Sequence, residues 1–287
     1  MAAAKACAGC GEVILEIGGH QESLPVEEID GRAVVEGDIV VGDDAQGIAG
    51  SVVALKLWAN GIMPYEIDSS LNKRERVTEA IRHWRDLAGI RLVPRSGQKD
   101  YVRFFKGSGC YSSLGRRGGK QDISLADNCS TGAAIHEVGH ALGLYHEQSR
   151  SDRDSFVTIH FDNIDPKKAG NYRKTDFPSI GVYDFGSMMH YGSYYFSANK
   201  KPAMTKKDGG IINPNRAALS PKDVAGVRKM YVAEKLPAPA AGAGAATTTV
   251  NVYFRPEPAP SAKPLMVIPK GRTVMRLGPS KDGYLSV

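Results

Sequence analysis

Three histidines within eleven residues are the feature of this chain best suited to chemistry. His136, His140 and His146 lie in the segment HEVGHALGLYHEQSR, although the whole chain of 287 residues has only 7 histidines. On a helix, residues four apart lie on one face, so His136 and His140 aim their imidazoles at one point. A catalytic zinc typically takes three protein ligands and leaves one position for water. The spacing therefore predicts a single zinc ion.

The residues around the two helical histidines supply a third ligand and a base. Gly143 lets the chain turn sharply, which returns His146 to the same point. Glu137 lies beside the first ligand and can take a proton from water whose pKa zinc lowers to about 7, then pass it to a leaving amine. These residues predict hydrolysis of a peptide bond. The alternatives are a cell-wall amidase and a non-catalytic zinc protein that binds through its C-terminal module, which would not need Glu137.

The elements that must position these residues are readable from periodicity. Residues 129–144 predict a helix that Ser130 or Thr131 caps. Residues 72–89 predict a second helix with Gly89 just past its end, and residues 220–231 predict a third. Short strands are expected between the first two helices. Residues 52–68 have strand character that we expect Gly61 and Pro64 to interrupt.

Charge and hydropathy restrict the partners. The net charge is +6, but the charges are scattered without a basic stripe interleaved with aromatics, which argues against nucleic acid. No stretch approaches the roughly 20 apolar residues of a membrane span. The first residues do not have the pattern of a clean secretory signal.

The histidine segment also carries a family resemblance. HExxHxxGxxH is the metzincin signature, and with Glu147 after it the segment resembles the astacin family of zinc metalloendopeptidases. SMMHYG, residues 187–192, is similar to the Met-turn of that family. By this resemblance Met189 lies beneath the metal, and Tyr191 ligates zinc and swings to stabilise the oxyanion. Glu147 would contact the mature N-terminus, formed when an activating protease removes a prosegment.

The resemblance covers about residues 49–232 and implies a fold and a compartment. We expect an α+β, two-lobed metzincin protease domain with the zinc helix at the cleft, acting on protein or peptide substrates outside the cell. The family's Gly-rich segment implies a Cys110–Cys129 disulfide. Its second disulfide is missing, because Cys7 and Cys10 are misplaced for it. Four cysteines alone would leave three pairings open.

The segment Val35-Glu36-Gly37-Asp38 resembles the prosegment motif of the astacin family, with valine in place of its aromatic residue. In that motif the aspartate ligates zinc in place of water and keeps the enzyme latent. We therefore expect Asp38 to be an inhibitory ligand, against the alternative of a plain Gly-Asp turn. The family's spacing from Trp58 places the new N-terminus near Ala49.

These observations divide the chain into four parts. We expect a prosegment at residues 1–48, a catalytic domain at 49–235, a linker rich in Ala, Pro, Gly and Thr at 236–249, and a small β module at 250–287. The last part is similar to bacterial Src-homology-3-like modules, which often bind cell walls or surface ligands. An acidic substrate preference would rest on Lys206, Lys207 or Arg216, which otherwise are surface charges.

Overall fold

The computed structural model describes residues 11–231 and the backbone of four short strands between residues 244 and 276. Cys7 and Cys10 lie outside the described residues. The helices and strands alternate along the chain in a mixed order. In chain order they are β1 Glu12–Ile17, β2 His20–Pro25, β3 Glu27–Ile29, β4 Arg32–Val35, β5 Ile39–Gly42, β6 Val52–Ala54, β7 Ile62–Ile67, α1 Glu75–Ala88, β8 Arg91–Pro94, β9 Tyr101–Phe105, β10 Cys110–Ser113, β11 Lys120–Leu125, α2 Thr131–Ala141, β12 Val157–Ile159, β13 Met204–Lys206, α3 Pro221–Met230, β14 Gly244–Thr247, β15 Val252–Phe254, β16 Met266–Ile268 and β17 Thr273–Arg276.

One eight-stranded mixed sheet joins the N-terminal residues to the rest of the chain. Its order is β3-β4-β5-β10-β11-β9-β7-β8, so three strands from the predicted prosegment extend five strands of the predicted catalytic domain. β5 runs parallel to β10, with Ile39 opposite Ser112 and Val40 opposite Ser113. Strand β5 therefore covers the edge that β10 would otherwise present.

Helices α1 and α2 pack together, and their apolar side chains form the largest core with the sheet. Two indoles fix this packing by hydrogen bonds, because Trp84 Nε1 donates to the Ile135 carbonyl at 3.0 Å and Trp58 Nε1 donates to the Ala141 carbonyl at 2.8 Å. Every residue of this core lies between 57 and 231. The part of the chain that follows residue 48 thus has a core of its own.

One end of each helix carries the signal expected from the sequence. The Ser130 side chain accepts from Ala133 N at the start of α2, and Gly89 adopts a left-handed conformation after α1. Ser220 and Asp223 form a capping box at the start of α3. These local signals were sufficient to place the helix ends within three residues.

Two details differ from the sequence-based expectations. Pro64 does not interrupt its strand, because β7 pairs only with β8 at that residue and its pairing with β9 begins at Tyr65. A missing N–H costs nothing where no neighbour would accept it. In the predicted linker, Gly244–Thr247 forms a strand that pairs with β17. Strands β15 and β16 also pair, as an antiparallel hairpin. The division into domains and the two lobes stay predictions.

Between α2 and α3 the chain is mostly irregular, with one two-stranded sheet of β12 and β13. This irregular stretch carries the predicted Met-turn segment, whose Tyr191 packs against His146. No helix in the described part of the chain is long and apolar enough to cross a membrane.

Candidate metal centre and cleft

Helix α2 brings two of the predicted ligands together, and the turn after it brings the third. The Nε2 atoms of His136 and His140 are 3.0 Å apart. Gly143 has φ +104°, a left-handed conformation that glycine adopts without strain, and the chain then returns His146 to a ring-centroid distance of 4.8 Å from His140. The three imidazoles are fully buried or nearly so.

Each histidine has a partner on its other ring nitrogen. Nδ1 of His136 donates to the Met188 carbonyl and Nδ1 of His140 to the Leu144 carbonyl, both at 2.8 Å. Because carbonyl oxygens only accept, the proton in each ring is on Nδ1. Nδ1 of His146 donates to the Glu36 carboxylate at 2.7 Å. This outer set of acceptors leaves every Nε2 lone pair free for a metal and orients the rings.

Asp38 of the N-terminal segment reaches the same point from the opposite side. Its carboxylate oxygens lie 3.4 Å from His136 Nε2, 3.5 Å from His140 Nε2 and 3.3 Å from His146 Nε2. One ligand atom from each of these four residues falls within 4.8 Å of the others. The backbone fixes this approach, since the Asp38 carbonyl accepts from Ser112 N at 2.9 Å.

The four residues fit a zinc ion. Three buried polar atoms at this point lack a hydrogen-bond partner among the described residues: Asp38 Oδ1, His146 Nε2 and Glu137 Oε2. Buried polar atoms are rarely left without a partner, so the unpartnered lone pairs of Asp38 and His146 indicate a cation. Three imidazole nitrogens and one carboxylate oxygen are a ligand set and number that zinc accepts in tetrahedral sites.

The electrostatics of the histidines differ from one another. Burial lowers the pKa of His136 to about 3, with the Arg216 charge acting in the same direction, and burial also lowers the pKa of His140. Both rings are therefore neutral ligands at ordinary pH. Burial acts in the same sense on His146, but the carboxylates of Asp38 and Glu36 outweigh it and raise its pKa to about 9, so a metal ion bound there would displace the proton from Nε2.

Two carboxyl groups at this site have pKa values that are shifted in opposite directions. Burial, then the nearby Asp38 charge, raises the pKa of Glu137 well above its ordinary value. Burial alone would raise the pKa of Asp38 also, but His146 and the hydrogen bonds from the three histidines lower it well below its ordinary value. Asp38 is therefore the carboxylate that carries charge among the imidazoles.

The predicted Met-turn lies directly under α2. A Cβ added to Gly139 would meet the Met189 sulfur at 2.9 Å, so glycine at that position lets the methionine pack against the helix. The Met189 carbonyl accepts from Glu147 N at 3.1 Å. Tyr191 packs against His146 with ring centroids 4.6 Å apart, and its hydroxyl donates to the Glu36 carbonyl.

Glu147 faces a separate cavity of about 400 Å³ behind the histidines. Its carboxylate accepts from Asp184 N at 2.8 Å and lies 3.5 Å from Arg150 Nη1. Burial raises its pKa to about 7, although Arg150 opposes the shift. Leu55, Leu57 and Phe177 contribute to the apolar wall of this cavity.

The predicted disulfide is present, because Cys110 at the start of β10 is bonded to Cys129 just before α2. Both cysteines line a cleft of about 500 Å³ that also contains Asp38, Glu137 and Tyr191. The bond thus ties the edge strand to the helix that carries the histidines.

Glu36 is a site residue that sequence analysis missed. It is 3% exposed and its Oε1 accepts from Ser149 Oγ at 2.6 Å while its Oε2 holds His146. The available signal was a charged residue in the otherwise apolar run AVVEGDIVV. Arg216 was considered only for substrates, yet its Nη1 donates at 2.7 Å to the Met188 carbonyl that also accepts from His136.

Comparison with known proteins agrees with this geometry. The sequence profile of the peptidase family Astacin matches residues 51–232. The chain is 37% identical over 227 residues to the zinc metalloproteinase nas-8 of Steinernema carpocapsae, covering 74% of this chain and 52% of that protein. It is 35% identical over 217 residues to astacin-like metalloprotease toxin 1 of Loxosceles intermedia, covering 71% and 82%.

Among solved structures, the chain is similar to high choriolytic enzyme 1, a hatching enzyme zinc-protease from Oryzias latipes, with a TM-score of 0.58 and 36% identity over 62% of this chain and 94% of that one. The chain spans only about a third to a half of the length of the first curated relatives that it matches. The match of the profile to more than half of the chain decides the family. The chain belongs to the astacin family of zinc metalloproteinases.

Proposed function

We propose that this chain is a zinc-dependent endopeptidase that its own N-terminal segment keeps latent. The observation that carries the proposal is the convergence of three buried Nε2 atoms, each ring held through Nδ1, beside a Glu137 carboxylate oxygen that lacks a partner among the described residues. The family relationship supports the same activity. A structural zinc ion needs no base beside its ligands, so the Glu137 carboxylate oxygen, unpartnered within the described part of the chain, disfavours the non-catalytic alternative.

The three histidines would hold the ion, which supplies a Lewis acid that polarises the substrate carbonyl and makes water acidic enough to lose a proton near neutral pH. Glu137 takes a proton from water as the water oxygen bonds to the carbonyl carbon of the substrate, and it then delivers that proton to the nitrogen of the leaving amine as the C–N bond breaks. Tyr191 donates its hydroxyl hydrogen to the substrate oxygen as negative charge develops there. Glu137 and Tyr191 both line the cleft, where the substrate peptide would bind.

Latency is proposed to rest on three contacts from one short turn. Asp38 places its carboxylate where the nucleophilic water is required. Glu36 holds His146 and Ser149 through its side chain and engages the Tyr191 hydroxyl through its carbonyl. Gly37 between them has φ +79°, and a Cβ there would lie 2.8 Å from the Phe196 ring, so the turn needs glycine.

Activation is proposed to follow cleavage near Ala49. Residues 43–51 form an exposed loop of turns, apart from the buried Ala45 and Ile48. An activating protease would find the loop accessible, and the core formed by residues 57–231 would remain intact. Released from β1, the new N-terminus would move toward the cavity that Glu147 faces, where a buried carboxylate would pair with its ammonium group.

The finer assignments belong to the same proposal. Secretion follows from the family resemblance, and residues 250–287 would form a bacterial Src-homology-3-like module that binds a cell-wall or surface ligand. Among the basic residues considered for substrate recognition, Arg216 lines the cleft, whereas Lys206 and Lys207 are not among its lining residues. An acidic preference would therefore rest on Arg216. A peptide-library cleavage profile without enrichment of Asp or Glu would remove that preference.

Digestion of a protein substrate such as casein tests the proposed activity. The uncut protein should be nearly inactive, the protein cut before Ala49 should be active, and a chelator should abolish the activity until zinc is added back. Activity that survives chelation would exclude a metalloprotease. The Glu137→Ala variant in the cut form serves as the background for contaminating proteases.

A further inference from the structure

Beyond the metal site, Arg32 and Asp30 of the N-terminal segment make charged contacts on the outer face of the sheet, where the Asp30 carboxylate accepts from the Tyr111 hydroxyl at 2.7 Å. Arg32, at the start of β4, places Nη2 2.5 Å from Asp122 Oδ2 on β11. Its guanidinium carbon also lies 5.3 Å from the centre of the Phe105 ring and 5.7 Å from that of Tyr111. A carboxylate and two aromatic rings around a guanidinium form a cation-binding site.

Asp122, Phe105 and Tyr111 belong to the predicted catalytic domain, whereas Arg32 belongs to the segment proposed to leave. Without Arg32, two carboxylates, Asp122 and Asp68, share the single guanidinium of Arg103. Arg103 Nε and Nη2 lie 2.8 and 2.9 Å from the Asp122 oxygens, and its Nη1 lies 3.4 Å from Asp68 Oδ2. One negative charge is then unmatched. The Tyr111 ring loses its contact with a guanidinium, whereas the Phe105 ring keeps that of Arg103, whose guanidinium carbon lies 4.9 Å from the ring centre.

Strand geometry places this cation-binding site within reach of a bound peptide. β5 begins at Ile39, directly after Asp38 at the metal site, and Val40 packs with Tyr111 on the outer face. A peptide paired with β10 in the place of β5 would direct every second side chain to this face. It would lie two strand spacings, about 10 Å, from β11, a gap that a lysine or arginine side chain and the Asp122 carboxylate close between them.

We propose that Asp122, with Phe105 and Tyr111, is a substrate subsite for a lysine or arginine side chain about two residues from the scissile bond, and that Arg32 occupies it in the latent form. The proposal rests on the proposed function, since a substrate reaches this subsite only after the N-terminal segment has left. Asp122 acts here in specificity and is distant from the proton transfers assigned to Glu137.

Matched fluorogenic peptides test the subsite in the protein cut before Ala49 and freed of its N-terminal segment. The peptides differ only in lysine or norleucine at the second residue on either side of the cleaved bond. For one of the two positions, the lysine peptide should have a kcat/KM about tenfold higher. In Asp122→Asn that ratio should fall to about one while the norleucine peptide is cleaved as before. A ratio near one in the unsubstituted enzyme, or an unchanged ratio in Asp122→Asn, overturns the proposal.

Two controls separate the subsite from other causes. Asp68→Asn removes a carboxylate from the same Arg103 and should retain most of the lysine preference. If Asp122→Asn does not fold, Phe105→Leu should lower the ratio severalfold, and an unchanged ratio there overturns the proposal equally. If neither peptide is hydrolysed by any form, the proposed activity fails; binding of the two peptides to the cut Glu137→Gln protein, measured by calorimetry, then decides the subsite, with equal affinities counting against it.

Discussion

Helix α2 and the turn at residues 35–38 meet at one site, yet their contributions depend on different ranges of sequence. The helix contributes two histidines and Glu137 through spacing alone, because residues four apart share a face. The turn contributes Glu36 and Asp38 to histidines about 100 residues away in sequence. The candidate metal ligands are therefore close together in sequence, whereas the proposed latency depends on contacts between distant segments of the folded chain.

The three histidines also differ in which part of the chain supplies the acceptor for their Nδ1 hydrogen bond. The carbonyls that hold His136 and His140 come from residues 188 and 144, within the predicted catalytic domain. The carboxylate that holds His146 comes from Glu36. Removal of the N-terminal segment would therefore leave two histidines supported as before and would free the third, together with Tyr191.

The largest expected effect concerns the helix. Glu137→Gln in the cut form retains the shape of the side chain but removes the base, so the rate of peptide hydrolysis should fall about a thousandfold. Zinc content, measured by atomic absorption, should stay near one ion per chain, because the three histidines remain. Loss of zinc along with activity would show that Glu137 has a structural role and would place the base elsewhere.

A smaller effect is expected from the turn. Glu36→Gln removes the charge on the acceptor of the His146 and Ser149 hydrogen bonds, which costs about 2 kcal/mol. Peptide hydrolysis by the uncut protein should rise roughly tenfold, while the activity of the cut form, which lacks residue 36, cannot change. Glu16→Gln on β1, where the half-buried carboxylate accepts from Gln21 Nε2 at 2.7 Å, is the matched control. Equal latency of the Glu36→Gln and Glu16→Gln variants would show that Glu36 does not contribute to latency and would leave that role to Asp38.

The smallest effect concerns stability and should be the same with or without the N-terminal segment. His83 of α1 accepts from Leu219 N at 3.0 Å, and burial lowers its pKa to about 4. In the unfolded chain the His83 ring binds a proton below about pH 6.5. The contribution of the neutral, buried ring to the free energy of unfolding is therefore complete above that pH and is lost as the pH falls toward about 4. The slope is about 1.4 kcal/mol per pH unit.

Urea unfolding at pH 5 and pH 6 measures that slope. His83→Gln, which retains an acceptor for Leu219 N, should reduce the pH dependence relative to the unsubstituted protein, in both the cut and the uncut forms. His20→Gln on the exposed start of β2 serves as control. An unaltered pH dependence in His83→Gln would show that the acid sensitivity arises at the metal site instead.

The limits of the sequence-based predictions follow the same division. The helices, the histidine spacing and the capping serines depend on neighbours within about four residues, and the structure has them as expected. Pro64 could not be judged from its own identity, because its tolerance depends on which strand lies beside it. The contact of Glu36 with His146 required a turn to pack against a distant loop, and no periodicity records such a contact. The strand at Gly244–Thr247 likewise depends on β17, nearly thirty residues further along.

The most direct test of the account measures latency in the uncut chain. Asp38→Asn retains the size of the side chain and weakens its competition with water for the metal, so the uncut variant should hydrolyse a short fluorogenic peptide at least tenfold faster than the uncut parent. It should still be slower than the cut form, since β5 continues to cover β10. If the uncut Asp38→Asn protein is as latent as its parent while both cut forms are equally active, Asp38 is not the inhibitory ligand.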